Sequence, residues 1–304
     1  MIEGYRIEQG ALRQAPVDQS TVWLGIAPDD SERSTLQQRL GISAQTLDAS
    51  LDPDEVARIE IRPDHLFLIW KRPESFDGRA FNVSSFGVVL SEQRLAVICA
   101  SHSLLYGLNQ AAEMSSPLDV LMALLDESVH HYLGHLRVVK QVARELQQRF
   151  TGPLDNQHLM QMYSLSESLV YYVNAIHSNG AVLSLLRSHG QKHGFGPDQL
   201  TALNDLIIEN DQSYQQARIH AQVFANLIEA RGNLANNGMN LALRNLTLIN
   251  VVFLPLNLIA GIGGMSEYSM MTAGTPWWVS FPALLAGMAL LGGGMAVALK
   301  RMAW

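Results

Sequence analysis

Residues 246–271 read LTLINVVFLPLNLIAGIGGMSEYSMM, an apolar run that stops at two glycines, a methionine, a serine and an acid. A helix rises ~1.5 Å per residue and needs ~17–25 apolar residues to cross a hydrocarbon layer ~30 Å thick. Residues 246–262 meet that length, and so do residues 277–299. Between Asn245 and Leu299 the only charged side chain is Glu267, whereas the chain before Asn245 carries charges at ordinary soluble density. Two adjacent uncharged helices joined by a short segment are the hairpin of a membrane protein rather than a pair of core helices.

The flanks set the expected orientation. Arg231 and Arg244 precede the first span, Lys300 and Arg301 follow the second, and the connecting stretch 263–276 has no Lys or Arg. By the positive-inside rule both termini are expected on the cytoplasmic side of the cell inner membrane, with the connection outside. The N-terminal MIEGYRIEQG has no basic region followed by an apolar stretch, so no cleavable export segment is expected. The formal net charge of −7 argues against a nucleic-acid partner, which needs a basic footprint, and favours attraction of cations. Cys99 is the sole cysteine, within the strand-like RLAVICA, and reads as core filler suited to a reducing compartment.

Upstream, TVWLGIA (21–27), IEIRPDHLFLIWKRP (59–73), NVSSFGVVLSE (82–92) and RLAVICA (94–100) are β-rich runs punctuated by Pro, Asp and Gly. SERSTLQQRLGI and SAQTLDASL read as short helices among them, which makes the first hundred residues an α/β region. From Ser116 apolar residues recur three and four apart in two long stretches, expected to pair as an antiparallel helical hairpin across the TGPLDN turn at 151–156. A further helix starts at Pro197 and meets no strong breaker before Gly261 except Pro255, which is tolerated in a membrane. At ~1.5 Å per residue such a helix spans on the order of 100 Å and carries a stalk into the bilayer.

Within the first span Asn250 and Asn257 are seven residues apart and share a helix face. Asn240, Leu243, Leu246 or Thr247, Leu254 and Gly261 extend that stripe at intervals of three and four. Polar side chains in a span turn away from lipid. Two explanations stand side by side: interhelical hydrogen bonds within the hairpin, or a conduit lined by one such helix from each of several subunits. Gly287, Gly292, Gly293 and Gly294 in the second span read as packing surface.

The stretch MNLALRNLTLINVVFLPLNLIAGIGGMS (239–266), a short connection, a second span and the tail LKRMAW resemble the CorA group of divalent-cation transporters, including its ZntB and CmaX-like branches. That family carries Gly-Met-Asn after its first span, preceded by Pro-Leu and Ala-Gly-Ile. Here Pro255, Leu256, Ala260, Gly261 and Ile262 lead to Gly264, Met265 and Ser266, a Gly-Met-Ser variant of the signature. The resemblance implies an α+β membrane protein: an N-terminal cytoplasmic α/β/α domain, a long stalk helix continuing into the first of two transmembrane helices, and a homopentamer. The implied organisation is an α/β region over 1–115, a helical hairpin over 116–196, a stalk helix over 197–245, transmembrane helices over 246–265 and 277–299, an external loop over 266–276 and a basic tail over 300–304. It further implies that Asn240, Leu243, Leu246, Asn250, Leu254, Asn257 and Gly261 line the pore, and that Gly264, Met265, Ser266 and Glu267 form its mouth.

A small divalent ion such as Mg²⁺ sheds water reluctantly, so a ring of amide and backbone carbonyls that reads its hydration shell suits it better than a tight carboxylate cage. The Ser266 hydroxyl is a poorer acceptor than a carboxamide, and Glu267 beside it attracts cations, which leaves Zn²⁺, Co²⁺ or Ni²⁺ open as cargo. A divalent ion entering through ~100 mV gains ~4.6 kcal/mol, and no GxxxxGK[ST] phosphate loop is present to supply ATP energy. The resemblance also implies a brake, a regulatory Mg²⁺ or Zn²⁺ held by a stalk acid. Alignment without gaps back from the pore places Asp205 there, with Glu209 and Asp211 further along and Asp52 or Asp54 as candidate partners. Glu127, His131 and His135 at steps of four suit a borderline metal on one helix face or plain helix-surface histidines. No nucleophile and base arrangement or paired catalytic carboxylates stand in a recognisable motif, so neither an enzyme nor an organic cofactor is expected. The expected function is potential-driven transport of divalent cations, gated by cytoplasmic metal. The alternatives are a proton-coupled zinc transporter of the ZntB type and a non-conducting membrane-anchored scaffold or sensor.

Overall fold

The computed structural model describes residues 1–62, 64–74, 80–101, 114–148 and 156–302. Their chain folds as two compact units, Met1–Glu229 and Ala230–Trp304.

The N-terminal unit is built on seven strands, β1 (Ile2–Glu8), β2 (Ala11–Ala15), β3 (Val22–Ile26), β4 (Arg58–Ile61), β5 (Leu66–Pro73), β6 (Val83–Leu90) and β7 (Leu95–Cys99), in the order β2-β1-β3-β7-β6-β5-β4. Only β3 and β7 pair in parallel; every other neighbour is antiparallel. Side chains alternate across the sheet as strand geometry requires. Phe67, Ile69, Val89, Ala96 and Ile98 face α1 (Asp30–Leu40) and α2 (Ala44–Leu51), packing with Leu36 and Leu47. Leu66, Leu68, Trp70, Phe86 and Val88 face the other way, onto Leu121 and Leu125 of α3 (Pro117–Gln148), Leu183 of α4 (Asn156–His189) and Leu206 of α5 (Pro197–Gly263). The result is an α/β/α sandwich, with Cys99 buried in β7 and its thiol pushed up to about 11 by burial.

The β-rich run 59–73 is two strands, β4 and β5, joined by a turn in which Arg62 N donates to the His65 carbonyl at 3.0 Å. The hairpin β1–β2 lies outside the sequence expectations. Its turn residues Gln9 and Gly10 have φ of 52° and 78°, both left-handed, as a two-residue hairpin turn of this twist demands.

Local chemistry fixes the helix ends. Asp29 caps α1 in a reciprocal capping box with Glu32. At the start of α3 the Asp119 carboxylate accepts from Ser116 N at 3.0 Å while Ser116 Oγ accepts from Asp119 N at 3.2 Å. Beyond the sheet, Tyr132, Leu136 and Val139 of α3 form a second core with Leu165, Leu169 and Tyr172 of α4 and Ala217 and Phe224 of α5. Residues 151–155 of the expected hairpin turn lie outside the described residues.

Gly87 lets α2 lie on β6, because a Cβ there would sit 2.1 Å from Ser50 Oγ and 2.6 Å from Ser50 Cβ. Ser50 is itself buried and tied to the Thr46 carbonyl at 2.9 Å, so it has little room to yield. Gly87→Ala is therefore expected to destabilise this unit by ~1–3 kcal/mol, the usual cost of overpacking. Thermal unfolding of the detergent-solubilised protein checks it, and an unchanged midpoint would mean that α2 backs away freely.

The C-terminal unit comprises the end of α5, a short helix α6 (Ser266–Met271) in the expected external loop, and α7 (Trp277–Met302). Among the described residues two helices, α5 and α7, are long and apolar enough to cross a membrane.

Candidate functional site

The packing of the membrane hairpin decides which face of α5 is free. A Cβ on Gly263 would meet Leu284 Cδ2 at 2.8 Å, and one on Gly292 would meet Leu256 Cδ1 at 3.0 Å. These close approaches run α7 antiparallel along one side of α5. The half-buried residues of this part of α5 are Leu248, Val252, Pro255, Leu256, Ile259 and Gly263. At ~100° per residue they fall within ~60° of Val252. Asn250, Leu254, Asn257 and Gly261 are all exposed and lie ~140–180° from Val252 on the same count. Asn240, Leu243 and Leu246 are exposed as well, at ~120–180°.

The polar stripe is thus not consumed by the hairpin. Among the described residues neither Asn250 nor Asn257 has a hydrogen-bond partner, whereas the Thr247 hydroxyl is spent on the Leu243 carbonyl at 2.9 Å. Of the four glycines expected to pack in the second span, Gly292 does so; a Cβ on Gly287, Gly293 or Gly294 would meet open space. At the end of α5, Gly264 N donates to the carbonyls of Ala260 at 3.1 Å and Gly261 at 3.2 Å, and Met265 N to Ile262 at 3.1 Å. Gly264, Met265, Ser266 and Glu267 are all exposed. Ser266 Oγ donates to Glu267 Oε2 at 3.1 Å.

A second constellation lies within the N-terminal unit, where α3 and the start of α5 run side by side. Asp119, Asp126 and His130 of α3 are spaced by seven and four, and so are Asp198, Asp205 and Glu209 of α5. That spacing keeps three groups on one face of each helix. The two faces meet: Gln199 Nε2 donates to Asp119 Oδ1 at 3.2 Å, and His130 Nε2 lies 3.6 Å from Glu209 Oε2. Between them is a cavity of about 600 Å³ whose lining includes Asp119, Asp126, Asp198, Asp205 and Glu209.

The five carboxylates are not equivalent. Burial works to raise the Asp119 carboxyl, but hydrogen bonds from Ser115, Gln199 and Ser116 outweigh it and hold the group below its ordinary value. Asp205 is exposed to solvent, whereas the Glu209 Oε2 atom is buried with no hydrogen bond. Asp126, His130 and Glu209 bring one ligand atom each within 4.8 Å of one another. Asp119, Asp126 and His130 escaped the sequence reading, although their spacing repeats that of the stalk acids.

The expected histidine face resolves differently. Glu127, His131 and His135 turn toward the core, where burial raises the Glu127 carboxyl and lowers His131. His135 is lowered to about 4, by burial first and by His131 second. Its Nδ1 lies 2.6 Å from the Tyr172 hydroxyl and its ring centroid 5.0 Å from that of Phe81. These are the contacts of packed histidines, and the three do not converge as ligands among the described residues. Asp52 and Asp54 lie near the Lys71 ammonium, which burial lowers and which Asp54, Asp52 and Glu55 restore in part.

Against this geometry stand the relatives. The cobalt/magnesium transport protein CorA of Methanocaldococcus jannaschii is 23% identical over 269 residues, covering 85% of this chain and 84% of the relative. The complete structure of the CorA magnesium transporter from that organism superposes with a TM-score of 0.79 at 20% identity, over 99% of this chain and 98% of the other. The full-length CmaX protein gives 0.75 at 16% identity, over 99% and 97%. Residues 18–301 match the family described as CorA-like Mg2+ transporter protein, so the chain belongs to that family of divalent-cation transporters.

Proposed function

We propose that several copies of this chain, five on the family pattern, stand in the inner membrane around a shared axis and conduct divalent cations along it. The observation that carries this reading is the placement of Asn250 and Asn257 on the face of α5 turned away from α7. An amide left unpartnered in hydrocarbon costs several kcal/mol, so that face requires water, an ion or another subunit. Asn240, Leu243, Leu246, Asn250, Leu254, Asn257 and Gly261 then line the conduit, Leu243 and Leu246 form an apolar constriction, and the carboxamides hold the ion through its water. In this reading residues 197–245 are the stalk, 246–265 and 277–299 the spans, and both termini are cytoplasmic.

Gly264, Met265, Ser266 and Glu267 form the mouth, as a Gly-Met-Ser variant of the family signature. Mg²⁺ is the reference cargo. The Ser266 hydroxyl is shorter and a poorer acceptor toward a hydration shell than a carboxamide, which relaxes selectivity toward Zn²⁺, Co²⁺ and Ni²⁺. Asp205 and Glu209, in the acidic cleft, bind the cytoplasmic ion that slows transport.

Flux into proteoliposomes tests the reading. An inside-negative potential of ~100 mV is expected to drive Mg²⁺ uptake, since it supplies ~4.6 kcal/mol per divalent ion. Signal no higher than in empty vesicles would leave a scaffold. In the same assay Ser266→Asn is expected to change the order of preference among Mg²⁺, Zn²⁺, Co²⁺ and Ni²⁺; an identical order in both proteins would remove the mouth as selector.

A further inference from the structure

Helix α4 is apolar on two sides. Between Asn156 and Leu186 its only charged side chain is Glu167, and Met160, Tyr163, Val170 and Tyr171 are each more than half exposed. At ~100° per residue these four fall within ~60° of Glu167, on one face. That face lies opposite Leu165, Leu169 and Tyr172, which α4 buries in the core it shares with α3 and α5. A helix that is apolar all round belongs in an interior, yet the outer side of this one is exposed. Helix α3 is built the other way. Its outer side carries Arg137, Lys140 and Arg144, spaced by three and four on one face, beside an exposed Val138. Among the described residues no carboxylate pairs with these three cations.

We infer that the outer face of α4 in one copy docks on the basic outer face of α3 in the next copy, so that the N-terminal units close a ring. A ring needs two different faces on each copy. Because α3, α4 and α5 surround one shared core, the outer faces of α3 and α4 turn in different directions. Their chemistry is complementary: Glu167 meets cations that have no acid of their own, Tyr163 and Tyr171 offer ring faces to a guanidinium or ammonium, and Val138 adds apolar area. Protein interfaces favour Tyr, Met and Arg. A lipid surface suits this face less, since interfacial helices pair their apolar side with Lys and Arg and α4 has neither between Asn156 and Leu186. Size points to the setting. From Met160 to Leu185, both exposed on this face, the helix is ~38 Å long and ~10 Å wide. That is ~400 Å², about half of the ~800 Å² per partner in a freestanding complex. The contact therefore forms between copies that the membrane helices already hold together.

This docking rests on the ring of copies proposed above, and its test separates the two. In the full chain in detergent, Tyr171→p-benzoylphenylalanine places a photocrosslinker on the α4 face. Illumination is expected to give chain dimers on a denaturing gel, with the attachment mapped by mass spectrometry to residues 137–144 of a second copy. Lys140→Glu in the same protein is expected to lower the dimer yield at least threefold, and adding Glu167→Lys to restore at least half of it. Tyr171, Lys140 and Glu167 are all exposed, so melting is expected to stay unchanged; Lys140→Gln repeats the measurement if the reversal lowers it. An oligomer by size-exclusion chromatography that yields only intrachain or lipid adducts, or attachment elsewhere on the second copy, would overturn this docking and leave the ring in place. A monomer would remove both.

Discussion

Asn257→Leu is expected to lower divalent-cation flux at least tenfold while the protein still assembles. Asn257 sits ~140° around α5 from the face that packs on α7, and it is exposed and unbonded among the described residues. No hairpin contact is lost with it. In a ring of subunits, however, one acceptor disappears per copy. A hydrogen bond contributes ~0.5–1.5 kcal/mol net, and ~1.4 kcal/mol is a factor of ten, so losing two or more to a single hydrated ion reaches the expected effect. Asn257→Gln, which keeps the amide on a longer stem, is expected to retain more flux than leucine. The check is proteoliposome uptake at matched protein density beside size-exclusion profiles in detergent. Unchanged flux, or loss of assembly without a separable transport defect, would return Asn257 to a packing role.

The second large effect concerns Asn179 of α4, which is fully buried. Strand β4 pairs with β5 only as far as Ile69, opposite Arg58. At Lys71 the α4 side chain takes over the missing strand's role: Asn179 Oδ1 accepts from Lys71 N at 3.0 Å and Nδ2 donates to Lys71 O at 2.7 Å. Both partners are buried backbone groups. Asn179→Ala leaves them unpaired at ~1–3 kcal/mol each, so a loss of ~2–6 kcal/mol is expected for the N-terminal unit. That corresponds to a melting decrease on the order of 10 °C. Chemical denaturation followed by tryptophan emission is a direct check, since Trp23 and Trp70 are both buried in this unit. A change under ~1 kcal/mol would mean that water replaces the carboxamide without cost.

Which parts were legible follows from the range of the forces involved. The strands β3, β6 and β7 and the helices α1 to α4 announce themselves by periodicity and caps, which act over a few residues. Strands β1 and β2 do not. IEGYRIE and ALRQA lack a β-branched apolar run, and their turn uses Gln9 where Asn, Asp or Gly is usual. They are strands because β1 finds the edge of β3, a contact made only in the assembled sheet.

The site divides in the same way. The stripe at 250, 254, 257 and 261 is a property of helix periodicity and of the missing charges around it, so residues 246–271 determined by themselves that this chain meets a membrane with one polar helical face. Whether that face is spent on α7 depended on the close approaches at Gly263 and Gly292, and only the folded hairpin settled it. In the N-terminal unit the stalk acids were visible, but their partners on α3 were not, because Asp126 and Glu209 are brought together by the packing of two helices far apart in sequence. One step along α3 turns the side chain by ~100°, which separates Glu127, His131 and His135, facing the core, from Asp126 and His130, facing the cleft. Spacing fixes which residues share a face; tertiary packing fixes what that face meets.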